Sequence, residues 1–232
     1  MVLPKRVPTG CRILDRILEG GISPEDVSLI YGEPETGKTA MTMHCAINCA
    51  RQGLKTLFID CDGTFSAERL SQIAGEDFEK VSDSIVLARP KDFREQALMV
   101  DRSPDYVTEH FGLFVFDTIT SLYRAEIAES PAKAFGLNRE LNRQLACLAQ
   151  TAKLSKVAIL LTSQVRTAFE EETVRVEPVA SRVLKFWAET VLSLKFTEDP
   201  HVIKVVLEKP KTQDPACYLR IGKLGLIENA AH

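Results

Sequence analysis

From Val27 onward, short runs of β-branched and aromatic residues alternate with longer stretches of helical period. That rhythm belongs to a mainly parallel sheet covered on both faces. The runs at 27–31, 56–60, 84–87, 113–117 and 157–162 read as buried strands, and 38–52, 66–74, 92–100 and 133–154 as helices. In the last helix Leu137, Leu141, Leu145, Leu148 and Ala152 recur at helical spacing, so one face meets a core. After Val183 strands follow one another at 189–196, 202–208 and 217–221, with turn residues at Asp199-Pro200 and Gln213-Asp214-Pro215. They predict an antiparallel C-terminal extension at one sheet edge. The expected fold class is α/β, a mainly parallel central sheet flanked by helices. No repeat, low-complexity tract or linker divides the chain, so one domain over residues 1–232 is expected.

Composition narrows the function. A chain of 232 residues that is 45% hydrophobic can bury a proper core. Its net charge of −3 gives no overall attraction to a polyanion, so any nucleic-acid contact must come from a local patch or a partner. The N-terminus lacks the apolar stretch of a signal peptide, and no window approaches the ~18 apolar residues of a membrane span. The expected location is the cytoplasm. The cysteines form no C-x-x-C pair, and Cys45 and Cys49, one helical turn apart near His44, are expected to pack rather than bind metal. The four histidines form no acid–base or metal constellation.

The chemistry is carried by Gly32-Glu33-Pro34-Glu35-Thr36-Gly37-Lys38-Thr39, which follows a predicted strand and opens a predicted helix with Ala40. G-x-x-x-x-G-K-T in that setting is a nucleoside-triphosphate loop. The glycines let successive N–H groups turn inward, and the helix adds its positive end. Lys38 is expected at the β- and γ-phosphates and Thr39 on Mg²⁺. A chance match in a glycine-containing turn is the alternative, and the flanking strand and helix weigh against it.

Such a loop needs a carboxylate at the end of a neighbouring strand to hold Mg²⁺ through water. Asp117 closes the apolar run Leu113-Phe114-Val115-Phe116 and fits, although it could merely cap the next segment. Asp60 and Asp62 end another apolar run, and Asp62 is the better candidate to orient the attacking water because Asp60 still belongs to the strand; the alternative is that both simply start the next turn. Gln164 follows the strand ending at Thr162 and could sense the γ-phosphate; alone it would be an ordinary loop glutamine.

The succession of Pro8-Thr9-Gly10 with Leu14-Asp15, the loop at 32–39, Ile59 to Phe65 with Glu68-Arg69, Phe116-Asp117-Thr118 with Leu122-Tyr123-Arg124, and Thr162-Ser163-Gln164-Val165 resembles the RecA/RadA recombinase superfamily, most of all its archaeal RadB branch. The resemblance spans about Pro8 to Ile227. It implies ATP with Mg²⁺, Arg69 against the adenine, Gln164 coupling nucleotide to a DNA-binding loop, and Lys209 and Lys211 offered to a neighbouring subunit's γ-phosphate. It also implies work in homologous recombination beside a RadA-type recombinase or a junction-processing nuclease, with association at the nucleoid. The helix-hairpin-helix domain that precedes this core in RadA-like recombinases is not expected here.

Two departures from the family matter. Asp62 stands where a glutamate is usual, so slow hydrolysis is expected, with Asp62, Lys38 and Gln164 as catalytic candidates. The segments matching the family's DNA-facing loops are 124–135 and 166–185. In the second, Arg166, Arg175, Arg182 and Lys185 are balanced by Glu170, Glu171, Glu172 and Glu177, and glycines are replaced near Val179-Ala180-Ser181. Arg124, Arg166, Arg175 and Arg182 are the DNA-binding candidates, with Phe169, Phe186 and Trp187 available to stack on bases of a single strand, although Phe186 and Trp187 fit core packing equally well. The competing readings are an ATP-controlled interaction module with negligible turnover and a KaiC-like ring ATPase. No N-K-x-D motif for guanine is present.

Overall fold

Helix α1 (Arg12–Ile17) is fastened to the segment before it, where Asp15 Oδ1 accepts from both the N–H and the hydroxyl of Thr9 at 2.7 Å. The computed structural model describes residues 5–106, 110–170, 173–213 and 215–228. The sheet then starts with β1 (Val27–Gly32), followed by α2 (Lys38–Arg51), β2 (Lys55–Asp60), α3 (Ala67–Ala74), α4 (Phe78–Ser82) and β3 (Ile85–Ala88). Helices α5 (Phe93–Asp101) and α6 (Ser103–Tyr106) lead to β4 (Phe111–Asp117), and α7 (Ser121–Glu129) and α8 (Ala134–Ser155) to β5 (Ala158–Ser163). The chain finishes with β6 (Val165–Glu170), β7 (Thr173–Pro178), α9 (Ser181–Trp187), β8 (Thr190–Phe196), β9 (Val202–Lys209), β10 (Ala216–Gly222) and β11 (Gly225–Glu228).

Nine strands form one sheet in the order β11-β10-β9-β8-β1-β5-β4-β2-β3. From β8 to β3 the neighbours run parallel, and β9, β10 and β11 continue antiparallel. The helices between parallel strands supply the crossovers that parallel pairing demands. Strands β1 and β5 are buried at every position, as expected when both faces are covered.

The two-residue period of the strands divides the core. Leu29, Tyr31, Leu57, Ile59, Phe114, Phe116, Ile159 and Leu161 face one cluster with Leu141, Leu145 and Leu148 of α8. Ile30, Phe58, Leu113, Val115, Ala158 and Leu160 face the other, with Leu14 of α1 and Met41, Cys45 and Cys49 of α2. The thiols of Cys45 and Cys49 therefore pack behind the loop as small apolar groups, and burial pushes that of Cys49 up to about 11.

The structure differs from the pattern-based reading where short elements depend on tertiary support. Segment 166–185, read as a loop, is a hairpin of β6 and β7 followed by α9. Within it Arg166 and Glu177 stand opposite each other across the hairpin. Ala180 takes the left-handed conformation at φ 53°, where a glycine would sit without cost. Segment 124–135 is likewise helical through α7 and a short turn from Pro131 to Lys133, anchored by the buried Tyr123.

Candidate nucleotide-binding site

The parallel register brings four strand ends to one edge. Tyr31 of β1 lies beside Ser163 of β5, and Gly32 beside Leu194 of β8. Phe116 of β4 lies beside Leu161 of β5, and Asp117 beside Asp60 of β2. The loop at 32–39, Asp117, the Asp60–Asp62 turn and Gln164 are thus neighbours. This is the crevice at the carboxyl ends of the strands where open α/β sheets take ligands.

The loop is shaped by its glycines. A Cβ on Gly32 would stand 2.5 Å from the Leu194 carbonyl oxygen, and Gly37 has φ +87° with its Cβ direction 3.0 Å from Leu226. A larger residue at Gly32 would displace main chain, and one at Gly37 would be strained by the left-handed φ and crowd the Leu226 side chain. Glu35 takes a positive φ of 66°, and the Thr36 hydroxyl closes the turn by donating to the Glu33 carbonyl at 2.8 Å. Gly37 caps α2, so the helix presents its N–H groups to the loop. Lys38, only 8% exposed, donates from Nζ to the carbonyls of Gly32 (2.9 Å) and Glu33 (2.7 Å). Burial lowers its pKa, while Asp117, Asp62 and Glu33 act in the opposite sense.

Asp117 is 1% exposed. Its Oδ1 accepts from the Thr162 hydroxyl, and the Thr39 hydroxyl stands close enough to favour the ionised carboxylate. Its Oδ2 is buried with no hydrogen-bond partner. Burial, opposed by those hydroxyls, pushes the Asp117 carboxyl up from its ordinary range. A desolvated carboxylate oxygen left unpaired beside a threonine and a lysine fits a water-carried cation, and the glycine-shaped turn fits phosphate. The residues present therefore suit Mg²⁺ with a nucleoside triphosphate.

The two candidate water-orienting carboxylates separate clearly. Asp60 is fully committed: it accepts from the N–H groups of Thr64 and Phe65 at 3.0 and 3.2 Å and pairs with Arg89 at 2.9 Å. Asp62, half-buried, accepts a single side-chain hydrogen bond among the described residues, from the Thr118 hydroxyl at 3.2 Å. Thr118, Thr162 and Arg89 were not singled out by sequence reasoning. Thr118 and Thr162 lie within the runs that carry the resemblance but were given no role of their own, because which strand neighbours which is not written in the sequence.

Gln164 joins β5 to β6. Its side-chain oxygen accepts from Arg124 of α7, and its main-chain carbonyl accepts from Val179 at 2.9 Å, closing the base of the hairpin. Two of the segments expected to face DNA are thus linked through this residue. Arg69 donates to the carbonyls of Gly222 and Lys223, both at 2.6 Å, and so holds the β10–β11 turn beside α3.

Arg166 and Arg182 are exposed, and the side chains of Arg175 and Phe169 lie outside the described residues. Phe186 is 70% exposed, whereas Trp187 is tied to Asn142 by a 2.9 Å hydrogen bond. Lys209 pairs with Val191 at the start of β8, the sheet edge opposite the loop, and donates to the Ala188 carbonyl. Within one chain it does not meet the phosphate loop.

The comparison with known families is decisive: the Rad51 model matches residues 5–229. The chain belongs to the Rad51 family. Among Rad51-family relatives it is 33% identical over 213 residues to the "DNA repair and recombination protein RadB" of Methanothermobacter thermautotrophicus, covering 90% of this chain and 89% of the relative. To the protein of the same name from Methanosphaera stadtmanae it is 31% identical over 211 residues, again covering 90% and 89%. A solved structure described as "Crystal structure of the RadB recombinase" superposes with a TM-score of 0.81 at 31% identity, over 96% of this chain and 99% of that one. The RecA-like fold of this family implies a nucleotide with Mg²⁺. Among the described residues, no helix is long and apolar enough to cross a membrane.

Proposed function

We propose that the chain is an ATP-binding, slowly hydrolysing DNA repair and homologous recombination protein of the RadB type, built as one core domain. What carries the reading is the meeting of Lys38, Thr39, Asp117 and Asp62, with the Asp117 Oδ2 left unpaired in a buried position. When bound, Mg²⁺–ATP supplies the γ-phosphoryl group and the cation that neutralises its oxygens.

In this scheme the N–H groups of 32–39 and the Lys38 ammonium hold phosphate oxygens, and Thr39 and Asp117 hold the metal, Asp117 through water. Asp62 orients the attacking water and takes its proton, with Thr118 fixing one carboxylate oxygen. Arg69, fixed by the Gly222 and Lys223 carbonyls, stands beside the base. Gln164 connects the state of the site to α7 and the hairpin through Arg124 and Val179.

The protein then modulates a RadA-type recombinase or a junction-processing nuclease in the cytoplasm, and single-stranded DNA is contacted by Arg124, Arg166, Arg175 and Arg182. A second reading, an ATP-controlled interaction module with negligible turnover, is favoured by the short Asp62 already engaged by Thr118. ATP hydrolysis measured with and without single-stranded DNA separates them. Stimulated turnover supports the first; tight binding without turnover supports the second. A pull-down with a RadA-type recombinase, with and without ATP, tests the partner.

A further inference from the structure

Tyr31 is the residue before the phosphate loop, and its side chain leaves the loop entirely. It is 3% exposed, and its hydroxyl donates to Glu208 Oε1 at 2.6 Å. The other oxygen of Glu208 takes the Lys185 ammonium at 2.9 Å, and that ammonium stands 5.1 Å from the centroid of the Tyr31 ring. Side chains from β1, β9 and α9 thus close on one another, with both carboxylate oxygens of Glu208 satisfied.

Burial alone would raise the Glu208 carboxyl, but hydrogen bonds from Tyr31 and Lys185 outweigh it and hold it below its ordinary range. Burial, then the bond to Glu208, pushes the Tyr31 phenol up, so it stays a donor at neutral pH. Breaking a partly buried charged set of this kind strands a carboxylate without its full complement of donors.

At its loop end this set meets a main chain with little slack. The Gly32 Cβ direction points at the Leu194 carbonyl, and the Gly32 and Glu33 carbonyls both draw on the Lys38 ammonium. Phosphate oxygens held by Lys38 would compete for that same donor, so the change is first felt one residue from Tyr31. At its far end, Lys185 lies in α9, which follows the β6–β7 hairpin directly and carries Trp187, the chain's single tryptophan.

We infer that Tyr31, Glu208 and Lys185 are positioning residues that tie the phosphate loop to α9, so that nucleotide held at the loop shifts α9 and the base of the hairpin. This rests on the ATP reading of the site. The route is distinct from the Gln164–Arg124 contact, because it leaves the loop on the β8–β9 side of β1 rather than through β5.

The test is a titration of the full chain with Mg²⁺–ATP, following Trp187 fluorescence, with binding measured separately by calorimetry. It is run on the parent and on Tyr31→Phe, Glu208→Gln and Lys185→Met. The expected result is a saturable Trp187 change in the parent that tracks binding. In the variants ATP should bind within about threefold of the parent while the Trp187 change falls at least ~5-fold. A full-amplitude change in all three variants overturns the inference, as does ATP binding in the parent with no Trp187 change. No calorimetric binding in the parent overturns the ATP reading itself. Tyr31→Phe removes one hydroxyl and keeps the packed ring, so its outcome stands even if a charged variant folds poorly.

Discussion

Thr118 donates its hydroxyl to Oδ2 of Asp62 across 3.2 Å, linking the residue after Asp117 to the turn that ends β2. One oxygen of Asp62 is thereby fixed and the other left to act. A glutamate here would advance the carboxylate by about one ångström, a displacement that can be worth ~10²-fold in rate. Asp62→Glu should hydrolyse ATP faster, by about tenfold or more, in a phosphate-release assay. An unchanged or slower rate counts against the positional argument. Thr118→Val should slow turnover while leaving ATP affinity in place.

Lys38 is the one cation buried within the loop itself, bonded to two loop carbonyls. Hydrogen bonds to charged groups contribute about 1.5–3 kcal/mol each, so Lys38→Ala should weaken ATP binding by at least ~10-fold. Calorimetric titration of the parent and of the variant, folded by circular dichroism, decides it. Equal affinities would remove the basis of the functional reading.

His44 on α2 accepts the Leu226 N–H at Nε2 across 3.2 Å and so docks β11 behind the loop. Burial lowers its pKa from 6.5, the Leu224 main chain opposes this, and Arg69 and Arg51 add to the lowering. The unfolded chain therefore binds the proton first as pH falls. Stability is full above about 6.5 and is lost below it, down through the folded-state value. Urea midpoints at pH 7.5 and about 5.5 should show the drop, and His44→Gln should flatten it. An unaltered pH profile in that variant would remove His44 from the explanation.

Exposed Arg166 and Arg182 are the described cations best placed to meet a strand at the hairpin and α9. Reversing both to glutamate should weaken single-strand binding and flatten its dependence on salt by about 0.7 in log–log slope per lost phosphate contact. Arg166 faces Glu177, so its reversal also sets like charges opposite each other. Arg182→Glu alone supplies the control. Unaltered affinity and slope in both variants would place DNA contact elsewhere.

The face of α8 offers a direct test of packing. Leu145 is fully buried and Leu154 is 75% exposed. Leu145→Ala should cost about 2–5 kcal/mol in urea unfolding, and Leu154→Ala less than about 0.5. Similar costs at the two positions would contradict the assignment of the core face.

Much of this was legible in the chain because buried strands and long amphipathic helices carry their own period. The run Leu113-Phe114-Val115-Phe116-Asp117 appears as the end of β4, and the leucine spacing of α8 appears as its core face. The hairpin at 165–178 was not legible. Its strands are short, rich in charge and held by pairing with each other, a signal that local period does not carry.

By itself the sequence determined the phosphate loop, because G-x-x-x-x-G-K-T constrains φ angles and donors within eight consecutive residues. It also determined the α/β alternation and the carboxylates at strand ends. The tertiary structure alone decided which carboxylate is free. Asp60 and Asp62 are two residues apart and chemically identical, yet Arg89 and two N–H groups engage the first while a single threonine touches the second. It alone decided, too, that Tyr31 reaches Lys185 through Glu208. The reason is physical: hydrogen bonds between strands and helices distant in sequence depend on strand order, which no local pattern specifies.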